Sequence, residues 1–270
     1  MLPLAAVEVE RLARLRGVFA DIDDTLTTQG CLTAEAYSLL ERLHAAGLIV
    51  VPITGRPAGW CDHIARMWPV DAVVGENGAF YFAYDRGARR LVKRYLASDA
   101  ERAADRERLR AIGEKVLAAV PGAGLASDQL YRESDLAIDY CEDVAPLSRS
   151  AVEQIVALLS AEGLTAKVSS IHVNGWFGRY DKLSMTRIML AECFAVDLDT
   201  ERERFAFVGD SPNDAPMFAY FPLSIGVANV HAFLDRMASA PAFVTTQASG
   251  AGFAEFATRV LAARGALQGG

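Results

Sequence analysis

The chain has 270 residues, of which 52% are hydrophobic and 23% charged, and a formal net charge of -7. This is an ordinary globular composition for one large domain or two modest ones. The acidic balance argues against a nucleic-acid binder, and any phosphate ligand would need positive charge supplied locally.

The segment Met1 to Arg16 carries Glu8, Glu10, Arg11 and Arg14 and lacks a continuous apolar stretch, so no signal peptide is expected. No run has the length of a membrane span. The expectation is a cytoplasmic protein with no nucleic-acid or membrane partner, a monomer or homodimer. The scattered Cys31, Cys61, Cys141 and Cys193 read as reduced structural thiols.

Val18 to Ala20 reads as the apolar part of a first strand, followed directly by acids. Thr33 caps a helix to about Ala46 with Ala36, Leu39, Leu40 and Leu43 on one face, and Gly47 ends it. Leu48 to Ile53 is a near-continuous apolar run, as in a strand buried on both faces. Pro57 opens a second helix, and Asp71 to Gly75 is a third short strand before Glu76-Asn77-Gly78-Ala79. Strand, helix, strand, helix, strand predicts a parallel sheet with right-handed crossovers, and ligands at the carboxyl ends of its strands.

From about Phe80 the texture changes. Phe80 to Tyr84 and Leu91 to Leu96 are strands around a turn at Asp85-Arg86-Gly87. A charged helix, Asp99 to about Val120, presents one apolar stripe. Leu136 to Tyr140 alternates like a strand, a helix spans Ser148 to Ala161, and Ala166 to Asn174 reads as one further strand. The doubly wound pattern resumes with a helix from Lys182 to Phe194, a strand ending at Gly209, a short helix, and a strand from Leu223 to Val227. Another helix, a strand at Ala242 to Thr245, a helix Gly252 to Arg264 and a frayed Gly265 to Gly270 complete the chain. The expected fold is a Rossmann-like α/β doubly wound sheet formed by residues 1–82 and 179–270, with an inserted α+β cap at 83–178.

Four segments carry chemistry. Asp21, Asp23 and Asp24 crowd three like charges into four positions just past a strand, which repulsion disfavours without a ligand. Asp21 can serve as a carboxylate nucleophile, and Asp23, two residues on, can protonate a leaving oxygen. Thr54-Gly55-Arg56 offers a hydroxyl, an amide and a guanidinium to a phosphate, or is a plain capped turn. Lys182 sits on the unfavourable side of a helix dipole, where it either meets a phosphate or pairs with Asp181. Asp210, Asn213 and Asp214 supply hard oxygen ligands suited to Mg²⁺, or cap a loop.

In this order, the four segments resemble the haloacid dehalogenase superfamily, whose members include aspartate-nucleophile phosphatases. The position of the insert and Glu76-Asn77-Gly78-Ala79 are similar to its Cof-type branch with a type-two cap. That branch includes trehalose-phosphate, sucrose-phosphate and mannosyl-phosphoglycerate phosphatases. The resemblance implies Asp21 as nucleophile and metal ligand, and Asp23 as general acid and base with its carbonyl on the metal. It implies Thr54 and Lys182 as phosphoryl ligands, Asp210 as a direct ligand of Mg²⁺, and Asn213 or Asp214 as completing the metal shell. Thr25 would position Asp23. The lysine segment departs from the family pattern, with Leu183 where glycine commonly follows. Asp23 also argues for phosphoryl chemistry over dehalogenation.

The implied function is Mg²⁺-dependent hydrolysis of a small phosphomonoester, a sugar phosphate, through an aspartyl-phosphate. The alternatives are a phosphomutase or phosphotransferase on the same site, and a non-catalytic sugar-phosphate-binding protein. His172 and Asn174 share a strand face and could touch the sugar, with Trp176 stacking on it; a packed hinge is the alternative. Arg132, Glu133 and Asp135 read as solvated surface or as a leaving-group contact.

Overall fold

The computed structural model describes residues 1–268. Six parallel strands lie in the order Leu2–Pro3, Phe243–Val244, Leu223–Gly226, Phe205–Gly209, Gly17–Ala20 and Ile49–Pro52. Gly17–Ala20 comes early in the chain, yet it lies between Ile49–Pro52 and Phe205–Gly209. The winding therefore reverses beside it, which places the crevice at its carboxyl end.

Alternation along these strands divides the core. Val18, Val50, Ala206 and Val208 face the helices Ala34–Ala45, Ala58–Met67 and Ser249–Gln268. Phe19, Val51, Phe205 and Phe207 face Lys182–Phe194 and Ala215–Tyr220. Each layer buries one side of the sheet, as the period of two requires.

The strand Val73–Gly75 joins the edge through a parallel bridge between Ile53 and Val74. Phe80–Asp85 and Arg90–Tyr95 add to it as antiparallel strands. Their Phe80, Phe82 and Tyr95 pack with one core layer and Tyr81 and Val92 with the other. The hairpin thus extends the core, whereas the sequence reading began the insert at residue 83. The separately packed unit starts with the helix Asp99–Ala119, capped by Ser98 and Glu101. Together with Arg149–Ala161 it covers an antiparallel sheet ordered Thr165–Val168, His172–Trp176, Asp135–Asp139, Gly124–Leu125. Leu109, Ile112, Ile138, Ile155 and Val173 form its own core.

The run Ala166 to Asn174, expected to be one strand, is a hairpin. Ser169 reverses it: its backbone N–H donates to His172 O, and its hydroxyl oxygen accepts from the His172 N–H at 3.0 Å. That turn delivers Ser170 and Ile171 toward the core. The last helix begins earlier than expected and runs through residues read as frayed; 269–270 lie outside the described residues. Among the described residues no helix is long and apolar enough to cross a membrane.

Candidate active site

Asp21, Thr54 and Asp210 each follow a parallel strand closely, so the aligned carboxyl ends of neighbouring strands bring them to one edge. The Asp21 N–H donates to Val208 O at 2.9 Å, locking the first loop to the neighbouring strand end. Lys182 opens its helix from behind and is buried (1% exposed). Its Nζ donates at 2.7 Å to both Asp21 Oδ1 and Asp214 Oδ1. Gly78 makes this approach possible: its φ is +107°, and a Cβ there would lie 2.1 Å from Asp181 O. Lys182 therefore pairs inward, and not with Asp181 at the surface.

Asp214 Oδ2 accepts from the backbone N–H groups of Asp210 and Ser211 at 3.0 and 3.3 Å. A Cβ at Gly209 would sit 2.4 Å from that oxygen, so the loop needs glycine. Asn229 Nδ2 donates to Asp210 Oδ2 and to Asp24 O, each at 3.0 Å, and Asn229 Oδ1 accepts from Ser249 N. Thr25 Oγ1 donates to Asp210 Oδ1 at 3.5 Å, whereas the sequence reading had it positioning Asp23.

Carboxylate oxygens of Asp21, Asp210 and Asp214 lie within 4.8 Å of one another. One ammonium, that of Lys182, faces these buried acids. Burial pushes the Asp21 carboxyl up to about 8, with Lys182 opposing and Asp214 and Asp23 adding to the rise. Burial, then Asp21 and Asp214, push Asp210 well above the usual carboxylate range. Burial works against the charge on Lys182, but Asp21 and Asp214 outweigh it and keep the ammonium protonated. The excess of buried negative charge and the all-oxygen donors fit a hard divalent cation. Asp23 lies outside this side-chain cluster.

Thr54 is fully buried, its hydroxyl oxygen accepting from Arg56 N at 3.0 Å. Asn77 was given no role in the sequence reading. Its N–H donates to Thr54 O, and its Oδ1 accepts from Asn213 Nδ2 at 3.1 Å. Ser211 Oγ donating to Asn213 Oδ1 fixes which way Asn213 points. Asn77 Nδ2 is then left buried with no partner, next to Gly55. An orphaned donor there suits a ligand oxygen. Its left-handed φ of 55° is one that asparagine tolerates, and the Asn77-Gly78 pair was the available sequence signal.

Arg56 departs from its expected place. Its Nε donates to both Asp23 oxygens at 2.9 Å and its Nη2 to Asp23 Oδ1 at 2.7 Å. The same Nη2 donates to Glu142 Oε1 at 2.6 Å, and Nη1 reaches Asp128 Oδ2 at 3.2 Å. Trp60 stacks on the guanidinium at 4.4 Å. Arg56 thus spends its N–H groups on carboxylates from core and insert, where the sequence reading assigned it to phosphate.

The insert residues are also more buried than expected. Arg132 donates to Asp128, to Asp135 and to Gly55 O, and Asn174 Nδ2 donates to Asp135 Oδ2 at 2.9 Å. His172 Nε2 lies 2.8 Å from Glu142 Oε2. His172 and Asn174 do share a face, but both are buried and hold other insert residues. Trp176 is buried and stacks on Tyr180 with ring centres 5.4 Å apart, so these three side chains all face other protein groups. Arg132 and Asp135, read as solvated, are buried for the same reason: each finds its counter-charge inside.

Glu76 is fully buried. Its carboxylate accepts from Ala58 N, Glu133 N and Ser134 N at 2.6–2.9 Å, tying core to insert. Burial, then Asp135, push it up to about 8.

Between the insert and the core lies a cavity of about 280 Å³, lined by Asp23, Asp24, Gln29, Arg56, Cys141 and Glu142 among others. A larger cleft of about 860 Å³ lies at the amino ends of the strands, around Arg14, Arg16 and Arg204, away from the clustered acids.

This arrangement has relatives. Residues 18–104 match the haloacid dehalogenase-like hydrolases. That stretch contains Asp21, Asp23, Thr54 and Asn77, and it bears out the resemblance read from the motifs. The fold is shared over nearly the whole chain with solved proteins. The C-terminal domain of C. albicans trehalose-6-phosphate phosphatase has a TM-score of 0.69 at 15% identity, covering 97% of this chain and 98% of that one. A Thermoplasma acidophilum protein has 0.66 at 18%, covering 91% and 98%. Sucrose-phosphatase from Synechocystis, solved with sucrose and phosphate, has 0.61 at 15%, covering 91% and 98%. At such identities the likeness shows the fold. No curated protein matches the chain.

Proposed function

We propose that this haloacid dehalogenase-like chain is a phosphomonoester hydrolase acting on a small phosphorylated metabolite, a sugar phosphate, through an aspartyl-phosphate on Asp21. The observation that carries this reading is Lys182 Nζ at 2.7 Å from Asp21, beside the cluster of Asp210 and Asp214. The trehalose-6-phosphate phosphatase and sucrose-phosphatase folds support the substrate class.

In this reading an Asp21 oxygen attacks phosphorus, and the ester oxygen leaves with a proton from Asp23. Water then attacks the phosphorus of the aspartyl-phosphate, giving its proton to Asp23. Inorganic phosphate departs and Asp21 is restored. Lys182, the Thr54 hydroxyl and Asn77 Nδ2 hold the transferring oxygens. Mg²⁺, held by Asp21, Asp210, Asp214 and the Asp23 carbonyl, would offset the charge that accumulates on those oxygens. Residues 99–178 act as the cap that excludes water during transfer, with Glu76 and Arg56 as its ties to the core.

Phosphate release from a panel of sugar phosphates tests the reading. Release should need Mg²⁺, stop on chelation, and fall about 10⁴-fold or more in Asp21→Asn. Free phosphate without an isomeric phosphorylated product separates hydrolysis from transfer. Wild-type turnover in Asp21→Asn would overturn the assignment.

A further inference from the structure

Asp24 has no part in the chemistry above, yet it lines the cavity next to Asp23. It is half-buried, and its φ of 54° lies in the left-handed region, which asparagine and aspartate tolerate better than most residues. Its backbone is fully used: the N–H donates to Thr27 Oγ1, and the carbonyl accepts from Asn229. Its carboxylate is not. The Ser170 hydroxyl at the tip of the insert hairpin stands beside it.

Among the described residues, the ion pairs at this cavity are Arg56 with Asp23 and with Glu142, and His172 with Glu142. None includes Asp24. Arg56 is the cavity's one cationic lining residue, and it is held by Asp23 and Glu142 from inside the cavity and by Asp128 from behind. The neutral lining comes from Thr27, Gln29, Gly30, Cys141 and Ile171. A leaving group entering here meets hydroxyl and amide groups and one unpaired carboxylate. It meets no free cation.

Building on the phosphatase reading, we propose that this cavity selects phosphomonoesters whose leaving group is uncharged or cationic. Asp24 accepts a hydrogen bond from a hydroxyl or ammonium of that group and turns away leaving groups that carry a second anion. Like charges a few ångströms apart in a partly buried site repel enough to change a rate about tenfold. That is enough for a measurable preference and leaves the chemical step untouched. The phosphoryl end does not share this sign, because Lys182 faces it, as would a cation held by Asp21, Asp210 and Asp214.

Glucosamine 6-phosphate, glucose 6-phosphate and 6-phosphogluconate test the charge, with sorbitol 6-phosphate as the uncharged open-chain match for 6-phosphogluconate. For the native enzyme with Mg²⁺, kcat/KM on the first two and on sorbitol 6-phosphate should exceed that on 6-phosphogluconate by about tenfold or more. Asp24→Asn keeps the left-handed backbone and the volume, and it should shrink the ratio to about threefold or less. Because the ratio is taken within each protein, a general loss of activity in the variant cancels. Equal kcat/KM on all four in the wild type would overturn the proposal, as would an unchanged ratio in Asp24→Asn. Absence of phosphate release from every compound, p-nitrophenyl phosphate included, would instead overturn the phosphatase reading, and this proposal with it.

Discussion

At the end of the site proposed to hold the phosphoryl group, Asp21, Thr54 and Asp210 follow neighbouring strands of one sheet, and Lys182 closes the group from a helix start. At the leaving-group end, Asp23 is held by Arg56, which is held in turn by Asp128 and Glu142 from the insert. The first end is rigid because parallel strands fix it, with Asp21 and Asp214 anchored to the Lys182 ammonium and Asp210 to the Asn229 amide. The second exists only while insert and core are together. Its charges are satisfied across the seam, so opening the insert would expose Arg56 and Glu142 to water. Position is set by the sheet at one end and by closure at the other.

The comparison breaks most easily at Lys182. Lys182→Ala should lower kcat about 1000-fold, since it removes the one ammonium at the transferring group. Without metal it also leaves Asp21 and Asp214 buried and unpaired, costing about 3 kcal/mol in urea unfolding. Retention of activity within about tenfold would show that the sheet edge does not depend on this pair.

Arg56 sharpens the other side. As a strut for Asp23, its loss should act on kcat: about 100-fold lower in Arg56→Ala, with KM nearly unchanged. Arg56→Lys should recover only part, because an ammonium cannot hold Asp23 and Glu142 with a planar fork. A large rise in KM with intact kcat would return Arg56 to the phosphate-binding role read from the sequence.

These two ends were not equally legible. Asp21, Lys182 and Asp210 could be found because each adjoins a local pattern, an apolar run or a helix start, and the order of elements stacks those patterns at one edge. The leaving-group end is built from pairs such as Arg56 with Glu142 and Glu76 with Ser134, far apart in sequence. Charge alone made Arg132 and Asp135 look like surface, and nothing local announces that they neutralise each other inside. His172 and Asn174 were placed on the right face by period two, but the acids that occupy them lie on other segments. Asn229 was overlooked because a single amide carries no pattern, and Asn77 because the Asn77-Gly78 pair reads first as a plain turn. The hairpin at Ser169 was missed because Ala166 to Asn174 has strand-like composition on both sides of one serine turn.

The smallest expected effect isolates the seam itself. Burial alone would raise the Glu142 carboxyl, but His172 and Arg56 bring it from an ordinary 4.5 down to about 2. A carboxyl lowered by folding binds fewer protons in the folded state than in the unfolded chain between those values. The stability it contributes is therefore complete above about pH 4.5 and is lost as pH falls toward 2. Glu142 is a quarter exposed, so solvent screens the pair and the contribution should be about 1 kcal/mol. Glu142→Gln lacks it at every pH. The stability difference between wild type and variant, from urea unfolding, should shrink as pH falls from 4.5 to 3. Acid losses elsewhere in the molecule occur in both proteins and cancel. A difference that does not change with pH would mean that Glu142 does not hold Arg56 in solution, and the leaving-group end would then need another source of order.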